Sequence, residues 1–276
     1  MDRPPNDQRL SGAGADGAPG GQVAVSVRNL RMGYGDRVLL EDASFDVFSG
    51  QIVVILGGSG SGKSSLMKNL IGLHAPLAGD VLIHGVSLIR AGAEKKAALQ
   101  RQLGVMYQSG ALFGSLTVLE NIRFPLDRFT DLPLEEKNLA ARMLLQTLEM
   151  KQSEGLMPGE LSGGMLKRVA IARAMALGCD ILLLDEPSAG LDPVTAANLD
   201  LTLLSLRKNM GVTLIVVTHE LESIFAIADR AIMLDPIARA IIADDKPATL
   251  RDRSTNARVH QFFNRQPDAQ RAVAGR

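Results

Sequence analysis

The sequence predicts an α/β protein in which a parallel sheet is covered by helices on both faces and is interrupted by a helical insertion. Short apolar runs alternate with helical patterns at about 193–209 and 219–228, a rhythm typical of parallel sheets. The runs are 181–184, 213–217 and 231–234. Helical periodicity also dominates from about 117 to 178, which predicts the insertion. Helix breaks are predicted there at Pro125, Pro133 and Pro158.

The N-terminal part of the chain predicts strands. Residues 22–30 alternate apolar and polar side chains, and residues 37–47 form a second strand pattern after a Gly35-Asp36 turn. Residues 51–56 are almost continuously apolar, as in a buried parallel strand. A helix should follow from about Gly62 to Gly72. Two further strand segments are then predicted, 79–88 as a strand or hairpin and 104–107 as a short strand.

Composition argues against several classes of protein. The 276 residues carry 30 Lys plus Arg and 30 Asp plus Glu, with 4% aromatic residues and no Trp, so no nucleic-acid surface is predicted. The single cysteine, Cys179, favours a reducing compartment. No apolar run approaches the roughly 20 residues of a membrane span. Residues 1–21 predict a disordered tail without the apolar stretch of a secretory signal, so we expect a cytoplasmic protein.

The strongest motif is GGSGSGKSS at 57–65, which matches G-x-x-x-x-G-K-[ST] and directly follows the buried strand. Backbone N–H groups of such a glycine turn bind phosphates, the lysine reaches the β- and γ-phosphates, and the serine hydroxyl can ligate Mg²⁺. The predicted nucleotide-binding residues of this phosphate loop are Gly57, Gly58, Ser59, Gly60, Ser61, Gly62, Lys63, Ser64 and Ser65.

Two adjacent acids form the second element. The apolar run 181–184 leads to Asp185 and Glu186, at the carboxyl end of a predicted strand where parallel sheets bind ligands. Asp185 would hold Mg²⁺ through water, and Glu186 could orient or deprotonate the attacking water. Alone, the pair would more simply cap a helix. Beside a phosphate loop, the catalytic interpretation is favoured.

Three weaker signals depend on these two motifs. His219 closes a strand pattern and could hydrogen-bond a γ-phosphate. Gln108 follows a short strand and could meet Mg²⁺ or the water, while Tyr34 could stack on adenine. Each has an ordinary alternative: a capping histidine, a solvated glutamine or a tyrosine packed on its strand.

A second phosphate-binding turn is predicted within LSGGMLKRVAIARA at 161–174. Free N–H groups at a helix N-terminus attract anions, and glycines let a phosphate come close. The residues of this turn are Ser162, Gly163 and Gly164. On the solvent-facing side of the helix that follows, we expect Lys167, Arg168 and Arg173.

Together with the GLD segment at 190–192, these motifs resemble the ATPase subunit of ATP-binding cassette (ABC) transporters over about 23–245. The resemblance implies a P-loop NTPase (RecA-like) core with an N-terminal antiparallel β subdomain and a helical subdomain at about 109–178. The ATPase domain would occupy 22–245, followed by a C-terminal extension at 246–276.

The same resemblance implies roles for the motif residues. ATP and Mg²⁺ would be bound, with Ser64, Gln108 and Asp185 on the metal, Glu186 as the base and His219 sensing the γ-phosphate. Two copies would pair head to tail, so that each ATP lies between the phosphate loop of one copy and the LSGG turn of the other. Asp192 would lie across that interface and Tyr34 against adenine.

A narrower resemblance rests on the segment 106–126 and on Met165, where many relatives have Gln. These features look like Mla-type (Mce-associated) phospholipid-transport ATPases. They imply a peripheral protein at the cytoplasmic face of the inner membrane, with a permease docked at about 110–126 and, as further partners, a small cytoplasmic regulatory subunit and an Mce-domain protein. The apolar residues forming that dock would be Leu112, Phe113, Leu116 and Phe124, unless they are ordinary core.

Some alternatives stay open at this point. The motor fold does not reveal its cargo, so an importer of a small polar solute such as an amino acid is the nearest rival. A soluble ABC-type ATPase acting on DNA or ribosomes is another, as is a nucleotide-binding regulator without turnover. In the C-terminal extension, a short helix could pack Val259, Phe262 and Phe263 on a second copy, or the extension could be disordered.

Overall fold

The computed structural model describes residues 21–35 and 37–266. All but the last residue of the predicted tail at 1–21 lies outside the described residues, as do Asp36 of the predicted turn and residues 267–276. The predicted division into units at 1–21, 22–245 and 246–276 stays a prediction. No helix in the described ranges combines the length and the apolar character needed to cross a membrane.

The described chain forms two sheets with helices packed around them. The strands are β1 (Val23–Tyr34), β2 (Arg37–Phe48), β3 (Ile52–Gly57), β4 (Ala78–Ile83), β5 (Val86–Ser87), β6 (Leu103–Met106), β7 (Ile181–Asp185), β8 (Thr213–Val217), β9 (Arg230–Asp235) and β10 (Ala240–Asp245). The helices are α1 (Lys63–Leu70), α2 (Ala93–Arg101), α3 (Val118–Phe129), α4 (Leu134–Thr147), α5 (Gly163–Met175), α6 (Pro193–Met210), α7 (Leu221–Ile227), α8 (Pro247–Arg253) and α9 (Ala257–Phe263).

The first sheet is antiparallel and has the strand order β2-β1-β4-β5. Strands β1 and β2 confirm the two predicted strands, and alternation is clearest in β2, where Ala43, Phe45 and Val47 are buried while Ser44 between them is exposed. The segment predicted as a strand or hairpin is a hairpin, β4 followed by β5, and β4 pairs with β1. This sheet is the N-terminal antiparallel element that the family resemblance implied.

The second sheet has the order β10-β9-β3-β8-β7-β6. Its five strands from β9 to β6 are parallel, and β3 and β8 are fully buried, as their continuous apolar runs predicted. The predicted α/β class is confirmed. Three elements were not predicted: helix α2, helix α8 and the antiparallel edge strand β10, which pairs only with β9 among the described strands.

Helices α3, α4 and α5 lie between β6 and β7 in the chain, where the insertion was predicted. Thr117 begins α3 with a reciprocal cap, since its hydroxyl accepts from Glu120 N–H and the Glu120 carboxylate accepts from Thr117 N–H. The predicted break at Pro125 is wrong, because α3 continues through it. Burial of the stripe Val118, Ile122 and Leu126 offsets the hydrogen bond that proline removes.

The C-terminal helices pack on the core of their own chain. Val259 is 0% exposed and Phe263 is 3% exposed, both within the apolar cluster that also contains the sheet. Arg258 on α9 donates to the Asp235 carboxylate at the end of β9, with 2.6 Å between the two atoms. The expectation that Val259 and Phe263 pack on a second copy is therefore wrong; both are already buried.

Candidate functional site

The strand registers bring the motif residues to one edge of the parallel sheet. Met106 pairs with Leu184, and Asp185 pairs with Val217, which in turn pairs with Ile55. The chain segments that leave β3, β6, β7 and β8 are therefore neighbours at this edge. They carry the phosphate loop, Gln108, Glu186 and His219, the four features that the sequence placed in one site.

Gly57 ends β3 in a backbone conformation that only glycine adopts readily. Its φ is 151°, and an added Cβ would lie 2.4 Å from the Leu234 carbonyl oxygen and 2.7 Å from Ser61 Oγ. Leu234 belongs to β9, which pairs with β3 along this stretch. The start of the phosphate loop is therefore shaped by its contact with a neighbouring strand.

We expect Gly57→Ala to destabilise the fold by about 1–3 kcal/mol, because the methyl group meets main chain and the φ is strained. Gly58→Ala is the matched control, since a Cβ there would have no neighbour within 4 Å. Thermal unfolding of both variants measures the difference. Equal melting temperatures would show that the close approach to Leu234 is not what requires the glycine.

Lys63 opens α1 and lies along the phosphate loop. Its Nζ donates to the carbonyl oxygens of Gly57, at 2.7 Å, and Gly58, at 3.2 Å. Burial lowers the pKa of Lys63, and the carboxylates of Glu186 and Asp185 oppose this shift. No side chain caps the N-terminus of α1, where Gly62 has a φ of 93°, so its first N–H groups are available to an anion.

Other residues of the loop region support an anion site. The Ser61 hydroxyl is buried and has no hydrogen-bond partner within the described chain. Tyr34 is 46% exposed, and its hydroxyl lies 3.1 Å from Ser65 Oγ. The ring of His74 packs edge-on against Tyr34, with 5.5 Å between centroids. An exposed aromatic ring therefore stands beside the phosphate loop, as a base-stacking role requires.

The backbone of Glu186 adopts a conformation that is unusual for a residue other than glycine. Its φ is 48°, a left-handed conformation that costs a non-glycine residue about 1–3 kcal/mol. Glu186 N–H donates to the Val217 carbonyl at 2.8 Å, which holds the turn against β8. The carboxylate has one oxygen, Oε1, 2.8 Å from His219 Nδ1, while Oε2 is buried without a partner in the described chain. One oxygen is positioned and the other is free to accept a proton.

Asp185 ends β7 and is half-buried at the sheet edge. Burial raises the pKa of Asp185, the charge of Glu186 raises it further, and Lys63, Lys68 and Lys167 lower it. A cation would stabilise the ionised form here. The oxygens of Asp185, the Ser64 hydroxyl and the Gln108 amide are the ligand type that Mg²⁺ prefers, so the residues present fit that ion.

The LSGG turn, 161–164, starts α5 but makes no hydrogen bond with the phosphate loop among the described residues. Ser162 caps α5 by accepting from Met165 N–H at 3.3 Å. A Cβ on Gly164 would lie 2.5 Å from Thr195 Cγ2, so glycine is needed for packing on α6. The two predicted phosphate-binding elements are thus separate within one chain.

Asp192 is the N-cap of α6. Its carboxylate accepts from Val194 N–H and Thr195 N–H, both at 3.1 Å, and from the Thr195 hydroxyl at 2.6 Å. These bonds lower the pKa of Asp192, the hydroxyl bond of Thr195 most strongly. The structure gives this residue a capping role, and its predicted position across a dimer interface stays a prediction.

The expected solvent-facing side of α5 is wrong for Lys167. This side chain is only 6% exposed, and its ammonium donates to the main-chain oxygens of Gln108 and Glu186. Arg173 is also partly buried and donates to the carbonyls of Gly110 and Ala111. Sequence periodicity does not reveal either hydrogen-bonding role. The acceptors are main-chain carbonyls, which every residue type carries, so no particular residue in the sequence marks them.

Comparison with known proteins agrees with this arrangement. The family model described as "ABC transporter" matches residues 40–189. A protein named as an intermembrane phospholipid transport system ATP-binding protein, MlaF of Haemophilus influenzae, is 34% identical over 90% of this chain and 92% of its own length. A probable ribonucleotide transport ATP-binding protein, mkl of Mycobacterium leprae, is 36% identical over 82% of this chain and 65% of its own length.

Solved structures show the same fold. A bacterial ABC transporter cassette, MJ0796, superposes with a TM-score of 0.72 and 29% identity, covering 80% of this chain and 98% of that one. That protein is described as a dimer, and a second structure of it is described as a post-hydrolysis state bound to ADP and phosphate, with the same TM-score of 0.72. Nucleotide chemistry has thus been captured in a cassette of this architecture.

Proposed function

Because this chain belongs to the ABC transporter family and is an ATP-binding ATPase, we propose that it is the motor subunit of a transporter that moves phospholipid between the inner and outer membranes. The similarity to MlaF supports phospholipid as the cargo, because the match extends over nearly the full length of both proteins. The rival is a ribonucleotide, since mkl is equally similar, although this chain spans only 65% of its length.

ATP is the substrate, and the loop residues have distinct tasks in binding it. The N–H groups of the phosphate loop and the Lys63 ammonium bind the phosphates, while Tyr34 offers its exposed ring to adenine. Mg²⁺, held by Ser64, Gln108 and Asp185, supplies charge neutralisation at the phosphate oxygens when it is bound. These assignments follow the chemistry of the side chains together with their places at the sheet edge.

Hydrolysis needs a proton acceptor for the attacking water. Glu186 provides it through Oε2, the buried oxygen without a partner, while Oε1 is oriented by His219 at 2.8 Å. His219 is 63% exposed at its side chain, so it can also donate to a γ-phosphate that enters the edge. The base is thus positioned before the substrate arrives.

Two copies of the chain complete each reaction centre. The phosphate loop and the LSGG turn are separate within one chain, and each presents helix N–H groups suited to phosphate. A head-to-tail homodimer would place one ATP between the two elements, and the related cassette MJ0796 is a dimer. In this arrangement, ATP stabilises the dimer and its hydrolysis releases it.

A permease would dock on the segment 110–126. Phe113 and Phe124 are 43% and 38% exposed, and their rings contact each other with 4.7 Å between centroids. An exposed aromatic pair, formed by a loop residue and a residue in the middle of α3, suits the apolar face of a partner helix. This docking would place the chain peripherally at the cytoplasmic face of the inner membrane. The proposed complex also includes a small cytoplasmic regulatory subunit and an Mce-domain protein.

We expect Phe124→Ser to weaken co-purification of the membrane partner, because half of the aromatic pair is lost. Ile237→Ser is the matched control, since Ile237 is 75% exposed in the turn between β9 and β10, away from the proposed dock. Both variants are tagged, expressed and extracted from native membranes in mild detergent. Retention of the partner by Phe124→Ser at the control level would contradict the proposed dock.

The cargo is tested on the same tagged complex. Mass spectrometry of its bound small molecules should find phospholipid, together with an integral membrane protein. Ribonucleotide or an amino acid in place of lipid would assign a polar-solute transporter. Recovery of ribosomes or DNA without a membrane protein would assign the soluble alternative.

A further inference from the structure

Helix α5 carries two cationic side chains that bind one loop. Lys167 and Arg173 are six residues apart, and both donate to main-chain oxygens in the loop that follows β6, residues 108–111. This loop begins with Gln108 and leads into the exposed Phe113. Helix α5, which starts at the LSGG turn, is therefore bound directly to this loop. The loop lies between the sheet edge that carries the candidate site and the proposed permease dock.

Lys167 also connects this loop to Glu186, the residue directly after β7. Its Nζ lies 2.5 Å from the Gln108 carbonyl oxygen and 3.4 Å from the Glu186 carbonyl oxygen, and the side chain is 6% exposed. Burying an ammonium group is costly unless its donors find partners. Here the ammonium donates to two carbonyl oxygens, which offsets that cost and links the loop to the residue directly after β7.

Arg173 holds the far side of the same loop. Its guanidinium donates to the Gly110 carbonyl at 2.9 Å and the Ala111 carbonyl at 2.7 Å, and it lies over the Phe113 ring at 5.8 Å. Gly110 has a φ of 71°, and a Cβ there would lie 2.7 Å from Leu166 Cδ2 on α5. The loop thus lies against the helix with no room for a side chain between them.

We propose that Lys167 and Arg173 are positioning residues for ATP hydrolysis, which bind the loop 108–111 to α5 and keep Gln108 and Glu186 at a fixed separation. Both side chains donate to main-chain carbonyls, so their effect would come through the loop 108–111 and Glu186. The positioning role rests only on the ATPase activity.

The first test separates turnover from binding. Lys167→Met removes the donors while keeping a long side chain, and should lower kcat about tenfold or more with KM for ATP changed less than about twofold. Lys167→Arg, which retains donors and charge, should recover part of the loss. Arg142→Met is the control, because Arg142 pairs with Glu154 on an exposed surface of α4. An unchanged kcat, or a rise in KM without a fall in kcat, would overturn the proposal.

The second test observes the loop itself. The chain has no tryptophan, so Phe113→Trp supplies the only indole, beneath Arg173. In this background Arg173→Gln and Lys167→Met should each shift the emission maximum and raise quenching by acrylamide, since the loop loses its anchors. Arg142→Met should change neither. Identical spectra in all variants would show that the loop does not depend on these side chains.

The proposal can still be tested if one variant fails to fold. If Lys167→Met does not fold, Arg173→Gln decides by the same kcat and fluorescence measurements, since its guanidinium makes two of the loop bonds. Failure of the proposed function gives a different pattern. A wild-type chain that hydrolyses ATP but recovers no membrane partner would contradict the transporter proposal and leave the kcat comparison valid.

Discussion

Glu186→Gln should abolish turnover and keep ATP binding, so that an ATP-bound dimer accumulates. The amide retains the shape of the side chain and its neighbour His219, 2.8 Å away, but cannot accept a proton from water. Loss of a general base lowers a rate by roughly 10²- to 10⁴-fold. Since hydrolysis is the step that would release the two copies, size-exclusion chromatography with ATP should show a dimer in this variant and a faster return to monomer in the wild type.

Glu222→Gln is the matched control for this experiment. Glu222 is exposed on α7 and lines the same groove as His219. It should behave as wild type in both assays. Turnover by Glu186→Gln at the control rate would remove Glu186 as the base, and monomer at saturating ATP would contradict the head-to-tail dimer.

Lys63→Ala should lose nucleotide affinity. The Nζ now spans the Gly57 and Gly58 carbonyls, at 2.7 and 3.2 Å, so it is already held where the loop would present phosphate. Removing one charge-assisted hydrogen bond costs about 1.5–3 kcal/mol, which corresponds to roughly 10- to 150-fold in affinity. Binding of a fluorescent ATP analogue measures the loss directly.

Lys95→Ala controls for the removal of a positive charge. Lys95 is exposed on α2, away from the sheet edge, and its replacement should leave the dissociation constant unchanged. If Lys63→Ala binds the analogue as tightly as this control, the loop 57–65 is not the phosphate site. The melting temperature of each variant shows whether a loss of binding comes from a loss of fold.

The strands that form the sheet edge of the candidate site could be predicted because each is marked by a run of neighbouring residues. The run before Gly57 is buried along its whole length, which is typical of a parallel strand between two others. Asp185 and Glu186 follow an equally buried run at once, so the position of the acids at the sheet edge follows from the order of residues. Neither inference needed knowledge of a distant segment.

Helix α2 and strand β10 could not be predicted in the same way. Helix α2 buries only Leu99, so no apolar periodicity marks it. Strand β10 is half-buried throughout its first four residues, and it exists because β9 offers an open edge. In both elements the neighbouring structure, which the local sequence does not show, decides the outcome.

The same limit applies to Lys167 in the candidate site. A lysine at helical spacing is usually solvated, and nothing in the residues around position 167 indicates otherwise. Its partners are the carbonyl oxygens of Gln108 and Glu186, which come from segments 59 and 19 residues away. Only the folded arrangement of β6, β7 and α5 reveals why this cation is buried.

The order in which the sheet is assembled bears on protein synthesis. Among the described strands, β3 pairs only with β8 and β9, which begin at Thr213 and Arg230. A ribosome therefore finishes the phosphate loop nearly 150 residues before β8 begins and more than 150 residues before β9 begins. Until then Gly57 has no Leu234 carbonyl to lie against, and the nascent cassette has nowhere to hold a nucleotide. ATP can stabilise this protein only late in translation, after most of its chain has already had to avoid misfolding without that help.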